Sequence, residues 1–445
     1  MAALSGLFYG IKKMVASTDI KFYVHTNNNA PQLQNAYGSM INVLDACLIN
    51  GIDIGPISSL TVVGKTVTAI FGTAHNLMPY QVIKITGATQ SEFNTEHRVL
   101  TVPNSTTITF ELANAPSVTT ATGTIAATLP PLGWEKSFSS IHATVGGKAA
   151  YRSKNMLLSS RPFLRIVDEP DPAYNMAYAK YAKVGIVENM TDIDTMSGVQ
   201  APYDSAVPLK NWIGTGSQEN AYNGWAKWYY ARTSAEFSGN TAGGNYSDAI
   251  TPENGKRNWF VVGNKDYFYI MPAVRQIQTL LYGFGAFSSN LSVDSSCNFL
   301  IATVNYAKVA GGSDSFFSVF SKVPAVSTDI GGILVQRNIQ QSSYAMAGTS
   351  SLQMRPNTAS YHSGTVNYTQ AVAAIEQVIF ADVFINESNF LRGLLPGLKW
   401  LFQLRPINDL EGGFYGDKLY IAKNTYLAYP QIYDLKVGQV LFELT

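Results

Sequence analysis

The sequence predicts a mainly β protein: a large β-rich body, a few helices, and a small inserted Ig-size β-sandwich or barrel. Runs of β-branched and aromatic residues recur along most of the chain, bounded by Gly, Pro, Asn and Ser. Helical period is clear in only two stretches, one at the N-terminus and one over about 33–49. Between 57 and 128, six strand-like runs crowd into about seventy residues, a density that implies a separate small unit.

The totals narrow the function. At 445 residues the chain is long enough for two or three domains with real cores. A net charge of +1 carries no basic surplus, so no nucleic-acid partner is expected. Charged residues make up 14% of the chain, against roughly 25% in ordinary soluble domains. The neutral, hydrogen-bonding surface this implies suits a chain buried in a large assembly. No apolar run reaches the roughly 18 residues of a membrane helix, and no basic region precedes the first apolar stretch as a secretory signal requires. Cys47 and Cys297 form no disulfide framework, and Cys47 is expected in a core.

In chain order, Leu4, Leu7, Phe8, Ile11, Met14 and Val15 follow helical spacing. They predict an amphipathic docking segment over 1–18, with Leu7, Phe8 and Ile11 as interface residues. Ile20 to His25 reads as a strand. Leu33, Ala36, Tyr37, Met40, Ile41, Leu44, Cys47 and Leu48 then recur at steps of three and four, predicting a helix with Pro31 in its first turn and Asn50-Gly51 as its stop. Residues 19–56 are thus the first part of a main domain that 57–128 interrupts and 129–445 completes. The strand runs of the insertion are Ile57–Val63, Thr66–Phe71, Gln81–Thr86, Arg98–Val102, Thr106–Leu112 and Gly123–Ala127, with Gly64-Lys65 as a hairpin turn. His75 and His97 share no ligand spacing and read as turn or surface residues.

The remainder is β-rich. Its best hairpin joins Asn258–Val262 to Tyr267–Met271, and both faces of that pair are apolar. It is therefore expected to be buried on both sides, by the core or by another subunit. A loop at about 196–256, rich in Gly, Ser, Asn and Tyr, carries Trp212, Trp225, Trp228, Tyr229 and Tyr230, expected to order against something apolar and taken as candidate interface residues. Ala371–Gln377 suggests a short helix, and Pro396-Gly397 a turn between two apolar groups.

Chemistry is scarce. The chain has no GxSxG, Walker, HExxH or paired CxxC pattern. Tyr282-Gly283-Phe284-Gly285 lacks the third glycine of a dinucleotide fingerprint and reads as a strand bend. Three acidic groupings invite comparison with glycosidase pairs or calcium loops: Asp168, Glu169 and Asp171; Asp192 and Asp194; Asp409 and Glu411. Each also fits an ordinary loop, so no catalytic, metal or cofactor residue is assigned. The aromatic loops suit either sugar stacking or intersubunit cores, and the second is preferred.

Several phrases, taken in order, are more specific. DACLING at Asp45–Gly51, LGWEKSF at Leu132–Phe138, AAYRSKN at Ala149–Asn155, FLRIVDE at Phe163–Glu169 and ENMTDIDT at Glu188–Thr195 together resemble tailed-bacteriophage virion structural proteins. RNWFVVGNKDYFYI at Arg257–Ile270 and FLRGLLPGLKW at Phe390–Trp400 are similar to later landmarks of such proteins. The 57–128 block is similar to the Ig-like insertions of phage particle proteins, through TAHNLMPYQVIKITGA and VPNSTTITFEL. The resemblance implies a virion component without chemistry of its own, of tail or baseplate type. A capsid-surface decoration protein and an adsorption or fibre-attachment protein are the alternatives. The implied partners are other phage particle proteins and further copies of the chain, with a host-surface glycan as the alternative partner.

Overall fold

Among the described residues, the computed structural model has two large antiparallel sheets, a two-stranded one, a closed barrel and a short helix. It describes residues 17–216, 224–233, 247–275, 278–307, 315–317, 331–350, 380–388, 390–401, 407–426 and 437–445. The docking segment with Leu7, Phe8 and Ile11, and the expected helix at Ala371–Gln377, lie outside these residues.

The larger sheet has 14 strands. Its order begins Lys21–Val24, Trp259–Gly263, Tyr267–Arg275, Tyr282–Ala286, Asn298–Ile301, Gly331–Val335, and ends Phe390–Leu401, Val437–Glu443, Lys418–Tyr426, Gly412–Tyr415. The expected hairpin supplies its second and third strands, with Val261 opposite Ile270 and Val262 opposite Tyr269. Both faces of that hairpin are buried, as its pattern requires. The burial comes from the chain itself. Val261 and Ile270 join the core shared with the second sheet, whereas Phe260 and Tyr269 pack on Phe442 at 5.5 and 5.4 Å, so the sheet curls until its far strands cover its near ones.

The second sheet has 8 strands, including Ala226–Ala231, Lys180–Met190, Phe163–Asp168, Gly147–Ser153 and, at one edge, Trp134–Ile141. The chain changes sheets at Ala302: Asn298–Ile301 belongs to the large sheet and Thr303–Ala307 to this one. Trp228 spans the two layers. Its ring stacks on Tyr282 at 5.9 Å, meets Phe268 edge-on at 6.1 Å, and its N–H donates to the Ile301 carbonyl at 2.8 Å.

Residues Ile52 to Leu129 close into a six-stranded barrel, which settles the choice between sandwich and barrel. Its first and last strands pair at Ile52 and Leu129, and a side chain on Gly51 would lie 2.7 Å from the Leu129 carbonyl. Entry and exit are therefore adjacent, and closure leaves the barrel no open sheet edge.

The helix is shorter than its periodicity predicts. It runs over Ser39–Leu44 and continues through a wider turn at Asp45–Asn50, where the Gly51 N–H reaches the Ala46 carbonyl at 2.9 Å. Leu33–Gln34 is instead a short strand paired with Lys256–Arg257, and Gly38, at φ 85°, separates the two. Leu33 and Tyr37 are buried, so the apolar stripe reports burial correctly while the backbone between them turns. Pro396-Gly397 is a second correction. It is no turn between elements but a bulge inside the continuous strand Phe390–Leu401, where Asp382 pairs with Lys399 and Phe384 with Leu394.

Candidate functional site

Several of the phrases that carry the sequence resemblance meet at the two ends of the helix. At its start, Gly38 offers no side-chain cap and lies so close to Gly146 that a Cβ there would fall 2.9 Å from the Gly146 Cα. The missing acceptor is Asp168, at the end of FLRIVDE. Its Oδ2 takes the Met40 N–H at 3.1 Å and the Ile41 N–H at 3.5 Å, and its Oδ1 takes the Tyr230 hydroxyl at 2.6 Å. Burial raises the Asp168 carboxyl to about 6, against the opposing pull of these hydrogen bonds. Lys180, lying over the Tyr37 ring at 5.3 Å, is lowered by burial to about 8.

At the far end, Asp45 of DACLING binds Lys136 of LGWEKSF at 2.6 Å and accepts the Tyr151 hydroxyl of AAYRSKN at 2.8 Å. Glu135 pairs with Arg152, joining the same two phrases again. The Leu132 N–H donates to the Cys47 carbonyl at 2.9 Å, and Cys47 is fully buried, as its place on the stripe implies. Trp134 donates to the Asn264 carbonyl at 2.8 Å, and Asn155 reaches Asp266 at 2.7 Å, which brings in RNWFVVGNKDYFYI. Short phrases scattered from 45 to 266 thus form one polar joint holding the helix against the second sheet.

The acidic groupings are engaged in structure. Asp171 pairs with Lys183 at 2.6 Å and accepts the Ala173 and Gly214 N–H groups. Burial works to raise the Asp171 carboxyl, and Lys183 overcomes it and holds the group low. Asp194 binds Lys148 at 2.8 Å and Arg165 at 2.6 Å, while Asp192 caps its own turn through the Asp194 and Thr195 N–H groups. Asp409 pairs with Lys423, and Glu411 accepts from Asn408. Among the described residues no group of three His, Cys, Asp or Glu is placed to hold a metal ion.

The five aromatic residues expected at an interface are in the chain's own core, which corrects that expectation. Trp228, Tyr229 and Tyr230 are fully buried within the strand Ala226–Ala231, and Trp212 and Trp225 are buried beside it. Trp212 lies against Gly185 under the Arg165 guanidinium at 4.4 Å, and Trp225 meets Tyr344 edge-on. The cause is tertiary: Trp228 packs on Tyr282 of the large sheet and Tyr229 on Tyr181 at the opposite face, so every residue of Ala226–Ala231 is buried. His75 and His97 are buried too. His97 stacks on Phe110 at 4.3 Å and bonds the Phe93 carbonyl, while His75 accepts the Leu77 N–H within a turn.

Sequence reasoning missed two polar clusters. Asp248 accepts from Arg232 and the Tyr229 hydroxyl, each at 2.6 Å, with Lys227 at 3.7 Å. Arg392, fully buried, is held by Asp294 and Glu387. Lys227 and Arg232 flanking an aromatic strand were the signal for the first; in the second, Glu387 lies 5 residues from Arg392 but Asp294 lies 98 residues away, a separation that no local pattern encodes. On the barrel, a cleft of about 420 Å³ is lined by Glu92, Glu96, Arg98, Glu111 and Ser117. Arg98 gives its protons to the carbonyls of Ser17, Ile20, Tyr80 and Leu444, clamping both described chain ends to the barrel, and burial lowers it to about 10.

No known protein family matches this sequence, and no curated protein matches it. Among solved structures, the chain aligns with a phage phi92 endosialidase at 10% identity and a TM-score of 0.14, over 88% of this chain and 51% of that one. The chain therefore spans about half the length of that protein.

Proposed function

We propose that this chain is a structural component of a bacteriophage particle, of tail or baseplate type, acting through multiple protein–protein contacts. The observation that carries the reading is the convergence of the phage-like phrases on one joint. Lys136 and Tyr151, from two separate phrases, both donate to Asp45 of a third. What this sequence shares with particle proteins is thus the set of residues that fix its architecture, which fits a role in assembly. The barrel, closed and joined to the body through adjacent ends, serves in this reading as an Ig-like inserted module. Neighbouring particle proteins and further copies of the chain are the partners, and the virion is the location. Mass spectrometry of purified particles tests the proposal: the chain is expected in stoichiometric amounts, and its absence from intact virions refutes it.

A further inference from the structure

The cleft on the barrel lies where the described chain begins. Arg98 donates to the Ser17 carbonyl at 2.8 Å, and Thr18 is itself part of the cleft wall. The floor is the outer face of the strands Glu96–Asn104 and Thr107–Glu111, from which Glu96, Leu100 and Glu111 point outward while His97 and Phe110 stack on the buried side. Residues 112–117 make the far wall. Glu92 ties that wall down, its Oε1 taking the Ser117 N–H at 3.2 Å and the Ser117 hydroxyl at 2.8 Å.

The cleft combines unbalanced negative charge with apolar surface. Glu96 has Lys21 at 3.2 Å, and Arg98 gives its protons to main-chain carbonyls. The Glu111 carboxylate, by contrast, has no partner among the described residues, and Glu92 has no cation. Leu100, Ala115 and Pro116 line the same space. Carboxylates on a strand face are ordinarily left to water. What distinguishes these is the chain that leads into their cleft. The sequence immediately before Ser17 is Lys12-Lys13-Met14-Val15-Ala16, two cations followed by apolar side chains, and residues 1–18 contain no Asp or Glu. Lys12 is five residues from Ser17, so the chain holds it within about 18 Å even when fully extended. A ligand tethered so closely has an effective concentration on the order of millimolar, at which weak contacts suffice for docking.

We propose that this cleft seats the chain's own residues 12–16, with Lys12 and Lys13 against Glu92 and Glu111 and with Met14 and Val15 on Leu100 and Pro116. The seat ties the base of the segment carrying Leu7, Phe8 and Ile11 to the barrel, and it does not depend on the particle assignment. Two measurements on the full chain test it. A zero-length carbodiimide, which joins an amine to a carboxylate only in contact, is expected to link Lys12 or Lys13 to Glu92 or Glu111 within the monomer, as read by mass spectrometry of the linked peptides. Trypsin is expected to cut after Lys12 and Lys13 about tenfold faster in the double variant Glu92→Lys, Glu111→Lys than in the parent, because cleavage follows the population of the undocked state. Glu253→Lys, at an exposed carboxylate of the body, leaves the rate unchanged. Where the double lysine variant fails to fold, Glu92→Gln with Glu111→Gln removes the same charges and is expected to accelerate cleavage in the same direction. Absence of the cross-links overturns the proposal, as do equal trypsin rates in parent and variants. Cross-links found only in a dimer make the occupant the segment of a second copy and also overturn it.

Discussion

The Asp168 carboxylate caps the helix that begins at Ser39, accepting the Met40 N–H at 3.1 Å from 128 residues away in sequence. A local cap is replaced by a tertiary one, so the helix and the strand Phe163–Asp168 depend on each other.

That dependence has a pH signature. The folded-state value of about 6 lies above the ordinary carboxylate range. The folded protein therefore holds this proton more tightly than the unfolded chain does. The associated stability is fully present below about pH 4 and is lost as pH rises through about 6, a change of about 3 kcal/mol. Asp168→Asn should remove this component, so its urea midpoint is expected to fall less than that of the parent between pH 5 and 7.5. Parallel slopes for the two proteins count against the cap's assigned ionisation.

The other end of the helix is tested by Tyr151→Phe and Asp45→Ala. Tyr151 is fully buried and donates to Asp45, so losing its hydroxyl should cost about 1 kcal/mol, and losing Asp45 about 2 kcal/mol. A double-mutant cycle by denaturant unfolding is expected to give a coupling of at least about 0.5 kcal/mol. Additive effects show that the hydrogen bond does not join the two phrases.

Arg392 lies between Asp294 and Glu387 with its side chain fully buried. Arg392→Leu leaves two buried carboxylates without their cation and should cost about 3–5 kcal/mol. Replacing all three residues by apolar ones of similar size should restore most of that loss, as read from the denaturant midpoint.

Trp228→Ala removes the ring that bridges the sheets and should cost about 3–5 kcal/mol, with loss of near-ultraviolet dichroism. A fully stable Trp228→Ala protein with reduced partner binding is the outcome that returns this residue to an interface role.

The sequence was legible where burial and local period coincide. Thr66–Phe71 has the bounds its composition predicts, because β-branched and aromatic runs between turn residues have few other solutions. The hairpin at Gly64-Lys65 and the two-sided burial of Trp259–Gly263 follow for the same reason. Period alone misled at Leu33, where burial every three or four residues came from a strand and a turn.

By itself, then, the sequence determined that the chain is mainly β, where most of its strands lie, and which side chains leave water. Only the tertiary structure decided what covers them. Trp228 and Tyr230 meet the chain's own sheets rather than an outside partner, and Asp45, Tyr151, Asp168 and Met40 meet across separations that no local pattern encodes. The physical reason is that apolar burial is non-directional: composition states how much must be buried, while register, sheet order and curl choose the surface that buries it.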